Sequence, residues 1–140
     1  MARTLSGTAI VPGDAEGVVL RSDRAISLWG GVDPTTGRVI DRRHDRHGSS
    51  IAGRVFVVPA EKGSSTASAI LLELIRGGVA PAAIVTLELA PILALGAIVA
   101  EELYGERIPV VRVTPDDWGA LAEGERVRIR ADGSIERIAA

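Results

Sequence analysis

Cysteine is absent from all 140 residues. The chain alone can therefore build no disulfide framework, no Cys-ligated zinc site, no thiolate nucleophile and no iron–sulfur cluster. Any such chemistry has to be lent by a partner. An excess of basic residues is missing too: sixteen Lys and Arg against eighteen Asp and Glu leave a net charge of -2, which is not the footprint of a nucleic-acid binder. Lysine itself is nearly absent. Lys62 is the only one, so the other 15 of the 16 basic residues are Arg, a bias that points to a GC-rich genome or a hot habitat more than to a function. The opening MARTLSGTAIVPG lacks an apolar core long enough for a secretory signal, and the expected compartment is the cytoplasm. Long hydrophobic runs are scarce. The one at 79–100 is long enough to cross a bilayer, but Glu88 stands in its middle and Pro81 and Pro91 divide it. A mid-span charge is costly in lipid. A buried strand, AAIVTLEL, followed by a covered helix with Pro at its first position, PILALGAIVAEELYG, explains the same residues without a membrane.

What is present describes an ordinary globular chain, 46% hydrophobic and 24% charged, of a length that suits about one domain, residues 1–140. The first half is β-like. LSGTAIVPG, GVVLRS and GRVFVVP are short, rich in Val and Ile, and bounded by Gly, Pro and Asp. A long polar segment at 29–50, WGGVDPTTGRVIDRRHDRHGSS, separates the last two; a loop of that length in a small domain is more often functional than not. The rhythm then changes. Ala67, Ile70, Leu71, Leu74 and Ile75 recur at helical spacing, with Gly77-Gly78 as the stop. Strand 82–87, helix 91–104 and strand 108–113 follow. Strand–helix–strand–helix–strand is the signature of a parallel sheet, and continuous apolar strands fit a sheet covered on both faces. At the end, RVRIR and SIERI flank Asp132-Gly133, a hairpin signal. The expected class is α/β: a mixed sheet with a βαβαβ middle and β elements at both ends.

Lys62-Gly63-Ser64-Ser65-Thr66 lies between strand and helix. Hydroxyls there fit a helix N-cap, but three after a glycine, with Ser68 one turn on, exceed what a cap needs. A helix N-terminus offers free N–H groups and a positive dipole end, suited to a carboxylate or phosphate and to a serine asked to act as a base. The segment is not a P-loop, since the glycine, lysine and hydroxyl spacing is wrong, and G-x-S-x-G is absent. In the second loop, Gly30-Gly31 permits positive φ and close backbone approach, and Trp29 could anchor a loop or an interface. Asp41, His44 and His47 have the residue types of a metal site; the preferred reading is a solvated arginine-rich turn, because no regular element holds them. Glu88 ends a buried strand, either as a site residue or paired with an arginine. Glu101 and Glu102 belong to an exposed helix face. Trp118, after Pro115-Asp116-Asp117, reads as a capped turn packing one aromatic onto the core.

Taken in order, Trp29-Gly30-Gly31-Val32-Asp33-Pro34 with Gly37, Asp41 with His44, Gly48, Gly63-Ser64-Ser65-Thr66 with Ser68, Gly78 with Pro81 and Ile84, and Gly96-Ala97-Ile98-Val99 resemble the small subunit of aconitase-X-type dehydratases, the counterpart of the swivelling domain of aconitase. The likeness covers about residues 5–113. It implies a swivelling β/β/α fold and a hydro-lyase heterodimer. The large catalytic subunit would carry the cysteines and the iron or iron–sulfur centre, this chain binding no cofactor itself. The resemblance makes Ser64 the proton acceptor, with Ser65, Gly63 and Thr66 around the substrate. The substrate would be a small β-hydroxy acid, 5-phosphomevalonate or cis-3-hydroxy-L-proline; the scarcity of lysine leans toward the proline derivative. A partner-held iron would act as Lewis acid on the leaving hydroxyl, and the domain would close the site against water. Asp45-Arg46 departs from the family pattern, which commonly has Pro and an apolar residue there. A non-catalytic binding module that kept the fold is the competing reading.

Overall fold

The computed structural model describes residues 4–138. Its elements run β1 (Thr4–Leu5), β2 (Thr8–Val11), β3 (Ala15–Arg21), α1 (Leu28–Gly31), β4 (Val55–Val57), α2 (Ala67–Arg76), β5 (Ala83–Thr86), α3 (Pro91–Tyr104), β6 (Val110–Arg112), α4 (Pro115–Ala120), β7 (Arg126–Ile129) and β8 (Ile135–Ile138). The sheet order is β1-β8-β7-β3-β4-β5-β6-β2. β3, β4, β5 and β6 are parallel, as their helical crossovers require, and every other pairing is antiparallel.

β1 and β2 sit at opposite ends of that order, yet only Ser6 and Gly7 separate them in the chain. So short a link forces the sheet to curl until its ends meet. The run 5–13 reads as one strand in the sequence; the structure makes it two, broken where the chain passes from one sheet end to the other. Gly7 is needed at that crossing. Its N–H donates to Gly133 O at 3.1 Å, and a Cβ there would stand 2.4 Å from Val111 Cγ1 and 2.6 Å from Gly133 O.

The curled sheet has two apolar faces, and the period-2 alternation of the strands distributes residues between them. Val19, Val55, Val57, Val85, Val111, Val127 and Ile129 pack inside the curl with Leu5, Ile135 and Trp118. Leu20, Phe56, Ile84 and Val110 face the other way, against Leu71, Leu74, Ile75 of α2 and Leu93, Ala97, Ala100 of α3. This is the β/β/α layering. It explains why β4, and β5 up to Thr86, are apolar runs and why every residue of both strands is buried.

Helix ends follow their residue types. α2 stops in a Schellman turn, with Gly78 at φ 73 and the N–H groups of Gly78 and Val79 on the carbonyls of Ile75 and Leu74. α3 begins at Pro91 and ends at Gly105, φ 68. Its interior Gly96 lets the helices approach closely, since a Cβ there would meet Ser68 O at 3.0 Å. α3 is less covered than the sequence implies, because Leu95 and Ile98 remain exposed. Among the described residues no helix is long and apolar enough to cross a membrane. Thr114 caps α4 by accepting the Asp117 N–H at 3.3 Å. The Arg21 guanidinium lies 3.9 Å over the buried Trp118 ring and donates to Trp118 O and Leu121 O at 2.7 and 2.8 Å.

Two glycines give opposite expectations. Gly7→Ala destabilises the fold by about 1–3 kcal/mol, the usual cost of overpacking against backbone. Gly119→Ala, in α4 with open space around the position, stabilises by roughly 0.5–1 kcal/mol through helix propensity. Urea midpoints of the two variants check both signs; a neutral Gly7→Ala would contradict the tight crossing.

Candidate functional site

Parallel pairing sends the carboxyl ends of β3, β4, β5 and β6 to one edge, where open α/β sheets collect their ligand-binding loops. The segment after β4 is stitched to its neighbours on both sides. On one side Ile26 and Glu61 form a parallel bridge, and Lys62 N–H donates to Ile26 O at 3.3 Å. On the other, Leu87 and Glu88 N–H both donate to Pro59 O, at 3.1 and 3.2 Å. The Glu61 carboxylate accepts the first free N–H groups of α3, from Ile92 and Leu93, at 2.9 Å each. That replaces the cap its own N-cap residue, Ala90, cannot provide. No local signal in the sequence marks Glu61; only the crossover brings it to a helix 31 residues away.

Gly63 has φ 88, and a Cβ there would lie 2.7 Å from Ser27 Oγ. Both the conformation and the close approach of the two loops call for glycine. Ser64 is exposed. Its Oγ accepts the Thr66 N–H at 3.0 Å and donates to Thr66 Oγ1 at 2.9 Å, while its carbonyl accepts the Ala67 N–H at 3.0 Å. Ser64 thus caps the turn leading into α2, and the hydroxyls divide their work. Ser68 Oγ donates to Ile92 O at 2.8 Å and ties α2 to α3. Ser65 is exposed, and its hydroxyl has no partner among the described residues. The N–H groups of Gly63, Ser64 and Ser65 are likewise unused within the described chain. An oxyanion at Ser64 would receive two donors from Thr66, backbone and hydroxyl, beside the positive end of a ten-residue helix.

The turn RRHDRHG is largely exposed, as its composition suggests, with one exception. His44 is buried. The Arg46 N–H donates to His44 Nδ1 at 3.1 Å, which leaves the proton of a neutral ring on Nε2. Nε2 lies 2.8 Å from Ser22 Oγ and 3.1 Å from Arg24 O. The Ser22 hydroxyl, also buried, lies 3.0 Å from Asp45 Oδ1, and Asp23 N–H donates to Asp45 Oδ2 at 2.8 Å. Asp45 and Arg46, where the family pattern is departed from, carry specific ties: Arg46 also donates to Arg21 O and to Glu123 Oε1. The Asp41 carboxylate and the His47 ring make no hydrogen bond to the His44 ring among the described residues, although the backbones of the three are bonded in sequence, His44 N–H to Asp41 O and His47 N–H to His44 O at 3.1 Å each. Asp41 Oδ1 accepts the Arg43 N–H at 2.9 Å, and His47 is exposed. Among the described residues no group of three His, Cys, Asp or Glu could hold a metal ion. With no cysteine in the chain and no such group among the described residues, the donors present fit neither a thiolate-held cluster nor a His–carboxylate iron centre.

The glycine loop is pinned by apolar residues: Val32 and Val39 pair across a bridge and are buried. Gly30 takes φ 78, whereas Gly31 does not have a positive φ and packs against Ile26. Trp29 is 57% exposed, and its ring has no hydrogen bond or cation contact among the described residues. Glu88 is exposed and carries no ion pair among the described residues; the guess of an arginine partner fails, although Arg112 Nε donates to the adjacent Leu87 O.

Residues 4–137 match the model of the aconitase X swivel domain. A cis-3-hydroxy-L-proline dehydratase from Pseudomonas aeruginosa is 45% identical over 130 residues, covering 88% of this chain and 22% of that protein. The chain therefore spans about a fifth of that relative's length. The phosphomevalonate dehydratase small subunit of Methanothermobacter thermautotrophicus is 43% identical, covering 86% of this chain and 88% of that one. The crystal structure of Thermococcus kodakaraensis aconitase X in its holo form superposes with a TM-score of 0.88 at 40% identity, covering 98% of this chain and 99% of that one.

Burial pushes the Asp45 carboxyl up, but the Asp23 N–H, the Ser22 hydroxyl and nearby His44 outweigh it and hold the pKa below the ordinary aspartate value. A carboxyl held low in the folded state stabilises above its unfolded pKa of about 3.9, and that contribution fades as pH falls through the lower folded value. Asp45→Asn is accordingly less stable than the parent at neutral pH, and the gap closes below about pH 4. Urea midpoints measured from pH 7 to pH 2 test this; a gap that does not change with pH contradicts it.

Proposed function

Because the chain belongs to the aconitase X swivel-domain family, we propose that its 140 residues act as one swivelling domain, the small subunit of a heterodimeric hydro-lyase. Its partner is a large catalytic subunit, and its substrate is a small β-hydroxy acid. The named relatives include enzymes of two such acids, cis-3-hydroxy-L-proline and phosphomevalonate. The observation that carries the reading is the placement of Ser64: exposed, at the lead-in to α2, on the sheet edge where four parallel strands end.

Ser64 is the proposed proton acceptor. The C–H bond beside the substrate carboxyl breaks, its electron pair becomes the new C=C bond, and the neighbouring C–O bond breaks to release hydroxide. A serine hydroxyl is a weak base, so the alkoxide has to be favoured locally. The Thr66 N–H already points at Oγ. The Thr66 hydroxyl, which accepts from Ser64 now, can rotate to donate once the exposed Ser64 has released its own proton to water, leaving the alkoxide that takes the substrate proton. The α2 dipole adds to both. Ser65, with a free hydroxyl, and the unused N–H groups of Gly63 through Ser65 are placed to receive a substrate carboxylate, and Thr66 holds the base. The iron or iron–sulfur centre that the family resemblance implies belongs, in this proposal, to the large subunit. Bound there it would draw off the leaving hydroxyl.

In the assembled pair, Ser64→Ala lowers kcat by about 10²–10⁴-fold, the range of a positioned general base, with subunit association unchanged. Thr66→Val keeps the backbone donor, removes the hydroxyl one, and lowers kcat by about 10²-fold. Assays with both hydroxy acids also assign the substrate. Undiminished turnover in Ser64→Ala removes the base assignment.

A further inference from the structure

We propose that the cleft between the 41–44 turn and Lys62 is a built anion subsite. On the dehydratase reading it takes the negatively charged end of the substrate, a carboxylate or a phosphate. The cleft has a volume of about 510 Å³, and Arg24, Arg42, Arg43 and Lys62 line it together with His44 and Asp41. Elsewhere in the described chain arginines are mostly compensated; Arg46, Arg54, Arg76, Arg107, Arg126 and Arg137, for example, each meet a carboxylate. The four cations of the cleft have no ion pair among the described residues. The other described cations without one, Arg38, Arg112 and Arg128, lie apart in the 32–39 ribbon, in β6 and in β7.

Four like charges around one concavity repel one another unless something negative sits among them. Asp41 is the only carboxylate in the cleft, and one of its oxygens is already taken by the Arg43 N–H. The arrangement is also held in place. Arg24 Nη1 donates to Arg43 O at 2.7 Å, clamping one wall to the other. The turn itself rests on the buried His44, which accepts the Arg46 N–H and reaches Ser22 and Arg24 O. Lys62 lies two residues before Ser64 in the same loop, where the N–H groups of Gly63 through Ser65 are unused within the described chain. Guanidinium groups suit either a carboxylate or a phosphate.

The test is a titration of the uniformly ¹⁵N-labelled full chain with inorganic phosphate and, separately, acetate, at constant ionic strength set with chloride. Saturable amide shifts confined to residues 24–25, 41–44 and 62–65 support the subsite. Tighter phosphate binding points to a phosphate-bearing substrate, and comparable binding of the two anions to a carboxylate. Arg42→Gln/Arg43→Gln, two changes at exposed side chains, raises the apparent Kd about tenfold, the scale of two exposed charge pairs. No saturable shift, or equal shifts around Arg38, Arg112 and Arg128, overturns the proposal. So does a double variant that loses association with the large subunit while keeping anion binding, since the cleft would then be a protein contact. The titration needs neither the large subunit nor turnover. A positive titration beside an undiminished Ser64→Ala therefore keeps the subsite and removes only the dehydratase base.

Discussion

The parallel ladder of β3 to β6 is the constraint on which the rest of this structure depends. Arg21, Val57, Val85 and Val111 lie abreast across four strands, so all four strands end at one level. Parallel pairing cannot be closed by tight turns; each strand has to return by a crossover. Every crossover here leaves from the same edge. The loops that carry Ser22, Ser64, Glu88 and Thr114 are neighbours for that reason, although they are far apart in sequence.

Level strand ends bring loops near each other without holding them still. Holding is done by polar contacts that cross from loop to loop. Glu61 bridges to Ile26 and also caps α3. Pro59 O collects two N–H groups from the end of β5. The buried Ser22 and His44, with the more exposed Asp45, close a polar cluster under the arginine turn. Ser64 stands in the middle, on a loop tied on both flanks, with its own Oγ fixed by Thr66. Preorganisation of this kind favours a developing oxyanion, because the donors need not reorganise when charge appears.

The proposed division of labour between this chain and a larger partner rests on its composition. Without cysteine, and with no three-ligand cluster among the described residues, it offers no ligand set that fits the metal centre the family resemblance implies. It does have a serine at the lead-in to a helix and a concentration of cations without ion pairs among the described residues. The proposed reaction is thus shared between two chains, with proton removal and anion recognition on this side.

Residue order alone determined more of the fold than of the site. α3 was legible from Pro91 to Tyr104, and the α2 stop at Gly77-Gly78 and the Asp132-Gly133 hairpin were also readable, because helix propensity, proline at N1, glycine in αL and period-2 apolar runs act over a few residues. The glycine–serine motif was legible for the same local reason. The split of 5–13 into strands at opposite ends of the sheet was not, since only closure of the curl distinguishes the two sides of Gly7. Nor was the burial of His44 inside an arginine-rich turn, where composition pointed to solvent while Ser22 and Asp45 supplied the partners. Glu61 capping a helix across the crossover, and four cations gathered with no carboxylate partner, are products of chain reversal. Local chemistry sets which elements form; contacts between residues distant in sequence exist only once the sheet has closed, and those contacts build the site.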